Sequence, residues 1–172
     1  FEIGFQNNLI NSSSVVLPKS VINKIGGFPE EITSREDLYT WIKIASSYPV
    51  CYTDKPLTWY IIDETNARKR LNKSEPDFYY QFIEPGNFYK NEFLAFAALH
   101  KGMMDSIFNS KDVARQIAIR YSYTVLHQKK LKRLKFYNRI PSLLLKSFFK
   151  FIHFLRFIKK RITSFITKND LG

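Results

Sequence analysis

The sequence predicts an α/β fold in its first part, followed by an α-helical, amphipathic C-terminal region. Short runs of β-prone residues alternate with helical spacing over residues 9–62. From residue 91 onward, apolar side chains recur at helical spacing. Lysine and arginine then accumulate in the last third of the chain. These observations separate a mixed first part from a basic, helical second part.

The first predicted elements are a strand and a short helix. Residues 9–17 end in two valines and a leucine, which favour a strand. Pro18 suits the first turn of a helix, where its missing N–H leaves no hydrogen bond unmade. Residues 20–25 are therefore predicted to be helical. Gly26 and Gly27 are expected to end that helix, because glycine adopts positive φ without strain.

A second helix is predicted to begin at an acidic pair. Ser34 is a suitable cap, Glu36 and Asp37 follow it, and the helix continues to about residue 47. The helix dipole favours an ionised carboxylate in the first turn. An ionised carboxylate at the rim of a cleft can act as a general base. The alternative is that the pair only caps the helix, because acidic first turns are common.

Two further strands are predicted at residues 49–52 and 58–62, around a turn at residues 54–56. The single cysteine, Cys51, falls in the first of them and is expected to be a small buried apolar residue. One cysteine permits neither a disulfide nor a cysteine-based metal site within the chain. This usage fits a reducing compartment.

Helices are predicted for the rest of the chain. Residues 77–83 form a short one, and residues 91–104 and 111–126 form two longer ones with broad apolar faces. We expect the two longer helices to pack as an appendix on the first part of the chain.

Positive charge is concentrated at the end of the chain. Residues 113–172 carry 15 Lys and Arg against the single acid Asp170, whereas residues 1–112 carry 12 against 14. The two parts therefore have net charges of +14 and −2, which together make the +12 of the chain. Such asymmetry indicates a polyanionic partner, either a membrane surface or nucleic acid.

The stretch 143–161 is both apolar and cationic. On a helix, one stripe holds Lys146, Lys150, His153 and Lys160, and leucines and aromatics cover the rest. A bilayer span needs ~20 largely uncharged residues, so we expect a helix lying in the plane of an anionic membrane surface. The alternatives are a helix packed on the core and a nucleic-acid-binding helix. We expect no nucleic-acid partner, because no reading element for it is recognisable.

Three motifs then follow one another in a recognisable order. They are Gly-Gly-Phe at 26–28, Glu-Asp at 36–37 with Trp41 four residues after the aspartate, and Pro-Leu-x-x-Tyr at 56–60. Over roughly residues 5–68, this order resembles the C-terminal half of the catalytic domain of family 2 glycosyltransferases, inverting enzymes of the Rossmann-like GT-A fold. The resemblance implies that residues 1–75 are the acceptor side of a GT-A domain. Residues 76–128 would be the helical appendix, and residues 129–172 the basic membrane-surface region.

The resemblance also implies that the chain is a fragment. The family's nucleotide-binding half would precede Phe1, and its Asp-x-Asp motif does not occur in this sequence. That half would supply most of the contacts to a divalent metal, Mg²⁺ or Mn²⁺. The chain alone is therefore expected to be inactive.

By the same resemblance, Asp37 is the catalytic base, and Glu36 orients it or contacts the acceptor. The residues implied to bind the acceptor are Gly26, Gly27, Phe28, Trp41 and Ser13. The glycines would let the loop approach the sugars, and the hydroxyls of Ser12 to Ser14 would line the site. Alternatively, Trp41 is an ordinary core residue, and the serines are polar residues at the start of a strand.

The metal and diphosphate contacts implied for this chain are Asp63 and Arg68. Many relatives carry Arg-x-His after the Pro-Leu-x-x-Tyr motif, and Asp63 occupies the position of that histidine. Aspartate is a hard oxygen ligand suited to Mg²⁺ or Mn²⁺, and a guanidinium pairs well with phosphate oxygens. Alternatively, the site lacks the metal contact of Asp63, and Arg68 belongs to a solvated basic loop.

The implied function is transfer of a sugar, with inversion, from a nucleotide-sugar donor to a glycan or lipid-linked acceptor in bacterial cell-surface polysaccharide synthesis. The Gln-x-x-Arg-Trp motif of processive members is absent, which favours single-sugar transfer. The expected location is cytoplasmic and peripheral, on the inner face of the cell membrane. The alternatives are a non-catalytic membrane-docking or acceptor-binding module and a basic nucleic-acid-binding protein.

Overall fold

The computed structural model describes Phe1 and residues 12–32, 35–51, 53, 55 and 77–169. Six α-helices occur in these ranges: α1 (Lys19–Lys24), α2 (Glu36–Ser47), α3 (Phe88–Phe108), α4 (Lys111–Arg120), α5 (Gln128–Arg139) and α6 (Ser142–Asn169). Two short 3₁₀ turns, Ser12–Ser14 and Tyr79–Phe82, accompany them.

The predicted α/β, GT-A (Rossmann-like) architecture is wrong, because the described part of the chain is helical and contains no strand. Ser12–Ser14 is a 3₁₀ turn, and residues 15–17 and 49–51 belong to no strand. β-prone side chains favour an extended backbone, but a strand also needs a neighbour to pair with. Serine side chains moreover favour local turns over ladders. The remaining residues of the predicted strands, 9–11, 52 and 58–62, lie outside the described ranges.

The prediction that Cys51 is buried is also wrong, since this free cysteine is exposed. Burial of Cys51 required the strand around it to lie inside a sheet. Without such a sheet in the described ranges, no layer covers the side chain.

The core lies where α3, α4 and α5 pack together. Leu94, Leu99, Ile117 and Leu134 are fully buried in one apolar cluster. Gly102 lies where α3 closely approaches side chains of α4 and α5. A Cβ built on this glycine would be 2.9 Å from Leu134 Cδ2 and 3.1 Å from Ile117 Cγ2. The absence of a side chain at this position lets the three helices meet.

A buried carboxylate determines where α4 ends. Glu92 accepts hydrogen bonds from Thr124 Oγ1 at 2.6 Å, from the Val125 amide at 2.7 Å and from the Leu126 amide at 3.1 Å. Those amides can reach Glu92 only because residues 121–127 leave the helix. The predicted helix 111–126 therefore stops at Arg120.

Aromatic contacts join α2 to the helical core. The ring of Tyr39 meets Phe78 and Phe82 edge-on, with centroids 5.4 and 5.1 Å apart. Ile42, only 2% exposed, belongs to the same apolar cluster as α3. The acidic pair at the start of α2 is therefore held on a rigid support.

A lysine fixes the corner between α5 and α6. Lys111 Nζ donates to the carbonyl of Tyr137 at 3.1 Å and also to the carbonyl of Ile140. The first turns of α6 pack inward through Leu145, and the ring of Phe149 lies edge-on to Tyr137 at 5.8 Å. In the described ranges, no helix has the length and apolar character needed to cross a bilayer.

Candidate functional site

The acidic pair opens α2, as the sequence predicts. Glu36 and Asp37 occupy the first turn, and the helix runs to Ser47. The residue at the cap is Arg35, with φ 63° and ψ 23°, and its side chain does not cap the helix. Ser34, the predicted cap, lies outside the described ranges.

Arg35 adopts a backbone conformation that side chains rarely take. Among the described residues it is the only one other than glycine with positive φ. This left-handed conformation costs about 1–2 kcal/mol for a residue with a Cβ. The side chain is anchored in compensation, because Nη1 donates a 2.9 Å hydrogen bond to the hydroxyl of the fully buried Tyr79. A strained residue thus immediately precedes the acidic pair, as is common at functional sites.

The carboxylate of Asp37 is held by one hydrogen bond on each oxygen. Ser12 Oγ donates to Oδ2 at 2.8 Å, and the amide of Leu38 donates to Oδ1 at 2.7 Å. Asp37 is half-buried, whereas Ser12 is exposed. Since each carboxylate oxygen can accept two hydrogen bonds, Oδ2 retains a lone pair for another hydroxyl that approaches from solvent.

Glu36 contributes mainly through its backbone. Its carbonyl accepts a 2.9 Å hydrogen bond from Oγ1 of the fully buried Thr40. Within the described ranges, its carboxylate forms no hydrogen bond. Glu36 is half-buried and lies next to Asp37 in the first turn of α2.

The glycine pair ends α1 in the predicted way. Gly26 and Gly27 have φ of 84° and 75°, and their amides donate to the carbonyls of Asn23 at 3.2 Å and Ile22 at 3.0 Å. This is the Schellman arrangement of a helix C-terminus. A Cβ built on either glycine meets nothing within 4 Å. Backbone conformation therefore requires these glycines, and the space beside the turn is open.

The glycine turn lies against α2. Lys43 Nζ donates a 2.7 Å hydrogen bond to the carbonyl of Ile25, the last residue before the turn. The ring of Phe28 meets Trp41 edge-on, with centroids 5.7 Å apart and planes at 86°. Trp41 is four residues after Asp37, so both lie on one face of α2. The turn 26–28 and the Asp37 carboxylate therefore border the same face of this helix.

The two aromatic residues differ in exposure. Trp41 is 7% exposed, and Phe28 is 47% exposed. The indole Nε1 of Trp41 is buried and has no hydrogen-bond acceptor among the described residues. Trp41 is therefore a buried support for the more exposed ring of Phe28.

The other predicted site residues are Ser13, Asp63 and Arg68. Ser13 lies in the 3₁₀ turn Ser12–Ser14, but it is Ser12 that bonds Asp37. Asp63 and Arg68 lie outside the described ranges. In those ranges, no three His, Cys, Asp or Glu side chains gather as metal ligands.

Sequence reasoning did not single out Ser12 or Arg35. The run of three serines signals hydroxyls near the site but not which one reaches Asp37. Arg35 carries no such signal, because its hydrogen bond joins it to Tyr79, 44 positions further along the chain.

Comparisons with known proteins add no family to this description. No family model matches the chain, and neither the curated proteins nor the solved structures contain a match to it.

Proposed function

We propose that the chain carries the acceptor side of an inverting sugar transfer from a nucleotide-sugar donor, with Asp37 as the general base. The observation that carries the proposal is the Asp37 carboxylate, held by Ser12 on the same face of α2 as the open turn 26–28. The resemblance of the Gly-Gly-Phe and Glu-Asp motifs to family 2 glycosyltransferases supports it.

In this reaction, the acceptor hydroxyl approaches Oδ2 of Asp37 from the solvent side. As its oxygen attacks the anomeric carbon, its proton passes to Asp37, and the bond from that carbon to the diphosphate breaks. The new bond forms on the face opposite the leaving group, so the anomeric centre inverts. A positioned base of this kind contributes about 10²–10⁴-fold to the rate.

The neighbouring residues act on the acceptor. Ser12 holds the Asp37 carboxylate in one rotamer, and Glu36 accepts a second hydroxyl of the acceptor sugar. The exposed ring of Phe28 packs on the apolar face of that sugar, supported by Trp41. Gly26 and Gly27 leave room for the sugar beside the turn.

The departing diphosphate needs positive charge, usually from a divalent metal. Asp63 would contribute an oxygen ligand to Mg²⁺ or Mn²⁺, and Arg68 would pair with a phosphate oxygen. Both residues lie outside the described ranges, and no step assigned to Asp37 depends on them. The acceptor class that we propose is a glycan or a lipid-linked sugar of bacterial cell-surface polysaccharide synthesis.

The test is a transfer assay on the native protein that contains this chain. A panel of nucleotide sugars is offered with a lipid extract and glycans as acceptors, and nucleoside diphosphate release and sugar incorporation are measured. Asp37→Asn is expected to lower turnover at least about 100-fold. The matched control is Asp112→Asn, which changes a carboxylate that is 83% exposed on α4.

Circular dichroism of each variant shows whether the helices persist. Wild-type turnover by folded Asp37→Asn would refute the base assignment. If the wild-type protein consumes no nucleotide sugar but binds glycans, the transfer proposal fails and the chain is an acceptor-binding module.

A further inference from the structure

The helix α6 has two apolar faces, of which only one is covered. Leu145 is 3% exposed and faces the helical core. On the other side, large side chains recur at spacings of four, three, four and three, and all are more than one-third exposed: Leu144, Phe148, Phe151, Leu155 and Ile158. Leu143 and Phe154 widen this face. We call these seven residues the outer face of α6.

An exposed apolar surface of this kind is unusual on the solvent side of a helix. The covered side of a surface helix is normally apolar and the solvent side polar. Here, Phe148 and Phe151 are each 57% exposed in the middle of the helix. Contiguous apolar surface that remains exposed indicates a site of association.

The charge on the helix before α6 indicates the chemistry of the partner. On α5, which leads directly into α6, the side chains of Lys129, Lys132, Arg133, Lys135 and Arg139 are exposed. Phe136, 58% exposed, lies among them. Residues 113–169 contain no acid at all. The partner must therefore present negative charge next to an apolar region.

A groove between α4 and α5 presents further positive charge. It has a volume of about 440 Å³, and its cationic lining is Arg115, Lys135 and Arg139. Arg115 is already paired with Asp112 at 2.8 Å, which leaves Lys135 and Arg139 for an anion. Ala118 and Ile119 form part of the wall. Cations above apolar side chains suit a lipid headgroup with the start of its acyl chain.

We propose that the outer face of α6 and the cations of α5 dock on an anionic lipid bilayer, with α6 lying in the plane of the headgroups. Apolar side chains of such a helix enter the headgroup boundary while cations meet lipid phosphates. The groove between α4 and α5 receives one headgroup.

Two other occupants fit less well. A second copy of the chain would cover Phe148 and Phe151, but it would bring two surfaces of like charge together, which is unfavourable. Nucleic acid would satisfy Lys132 and Arg133, yet the apolar outer face of α6 would remain in water. Of these three occupants, the anionic bilayer satisfies both the charge and the apolar surface.

The first experiment tests the apolar contribution. The whole chain is sedimented with vesicles of phosphatidylcholine alone or of phosphatidylcholine mixed with phosphatidylglycerol. The double variant Phe148→Ser/Phe151→Ser is expected to bind the anionic vesicles at least about tenfold more weakly. The control, Val16→Ser, alters a side chain that is 99% exposed in the segment before α1, and its binding should match wild type.

The second experiment tests the charge contribution. Lys132→Glu/Arg133→Glu is expected to weaken binding to anionic vesicles at least about tenfold. Lys19→Glu/Lys24→Glu makes the same change in net charge on exposed residues of α1 and should bind nearly as wild type. Added salt should weaken wild-type binding, because the attraction is screened.

Three results would overturn the proposal. The first is equal binding to neutral and anionic vesicles. The second is tighter binding to duplex or single-stranded nucleic acid than to anionic vesicles. The third is a wild-type protein that binds no vesicles and forms a dimer that Phe148→Ser/Phe151→Ser abolishes. The proposal does not rest on sugar transfer. Asp37→Asn should bind vesicles normally, so failure of docking and failure of catalysis can be told apart.

Discussion

The Ser12 Oγ donates a 2.8 Å hydrogen bond to Asp37 Oδ2 and so joins two residues 25 positions apart in the chain. One residue lies in the 3₁₀ turn before α1, and the other lies in the first turn of α2. The glycine turn 26–28 lies between them in sequence and is tied to α2 by Lys43. The bond therefore closes the segment that holds the candidate site.

Ser12→Ala should affect sugar transfer more than stability. The hydrogen bond is exposed at Ser12, so its loss should change the free energy of unfolding by no more than about 1 kcal/mol. Without it, the Asp37 carboxylate can leave its position, and kcat should fall by a smaller factor than in Asp37→Asn. Steady-state kinetics and urea unfolding measure the two effects. The control is Ser20→Ala, an exposed serine on α1; an equal fall in kcat there would contradict the role of Ser12.

Gly26→Ala should destabilise the protein through the backbone alone. The position has φ 84°, and a Cβ meets nothing within 4 Å. The expected loss in the free energy of unfolding is about 1–2 kcal/mol, the cost of the left-handed conformation. Gly26→Asn should lose less, since asparagine tolerates this conformation. Urea unfolding compares the two variants. Equal losses would show that the backbone conformation is not the reason why glycine is needed at this position.

Glu92→Gln should unfold the joint between α3 and the turn that follows α4. The carboxylate is 2% exposed and accepts three hydrogen bonds, two of them from the amides of Val125 and Leu126. In the variant, an amide nitrogen replaces one carboxylate oxygen and faces a hydrogen-bond donor. The expected loss in the free energy of unfolding is about 1–3 kcal/mol. Hydrogen exchange at Val125 and Leu126 should accelerate. The exposed Glu30→Gln should leave both measurements unchanged, and a normal exchange rate in Glu92→Gln would refute the assignment.

Stability should fall as the pH drops below the ordinary histidine value of 6.5. Burial lowers the pKa of His127; the carboxylate of Glu92 partly opposes this shift, and the charge of Lys130 adds to it. Desolvation and the charges of Arg35 and Lys130 also lower the pKa of His100, although this side chain remains partly exposed. The unfolded state then binds more protons than the folded state just below pH 6.5, so the free energy of unfolding decreases with falling pH.

The free energy of unfolding of wild type and His127→Gln, measured on both sides of pH 6.5, checks this prediction. The variant should show a shallower decrease, because only His100 remains of the two shifted histidines. The slope is compared rather than the absolute stability, since His127 is buried and its replacement also changes packing. An unchanged slope would show that His127 does not contribute.

Local features of the candidate site could be predicted because they depend on neighbouring residues. The left-handed glycines after α1, the acidic first turn of α2 and the extent of that helix all follow from side chains within a few positions. The helices around 91–104 and 111–120 likewise follow from apolar spacing. Contacts across the chain could not be predicted in the same way. Spacing does not reveal which serine meets Asp37, nor that Arg35 reaches Tyr79.

The sequence by itself determined the approximate positions of the helices α1 to α4, the glycine turn, the position of the acidic pair and the basic character of the last third. Each is a property of short stretches or of composition. Only the tertiary structure decided that β-prone residues such as those around Cys51 form no strand in the described ranges, since a strand requires a paired neighbour. It also decided that α4 ends where Glu92 needs its donors, and that the outer face of α6 stays uncovered. These outcomes depend on groups far apart in the chain, which local pattern does not encode.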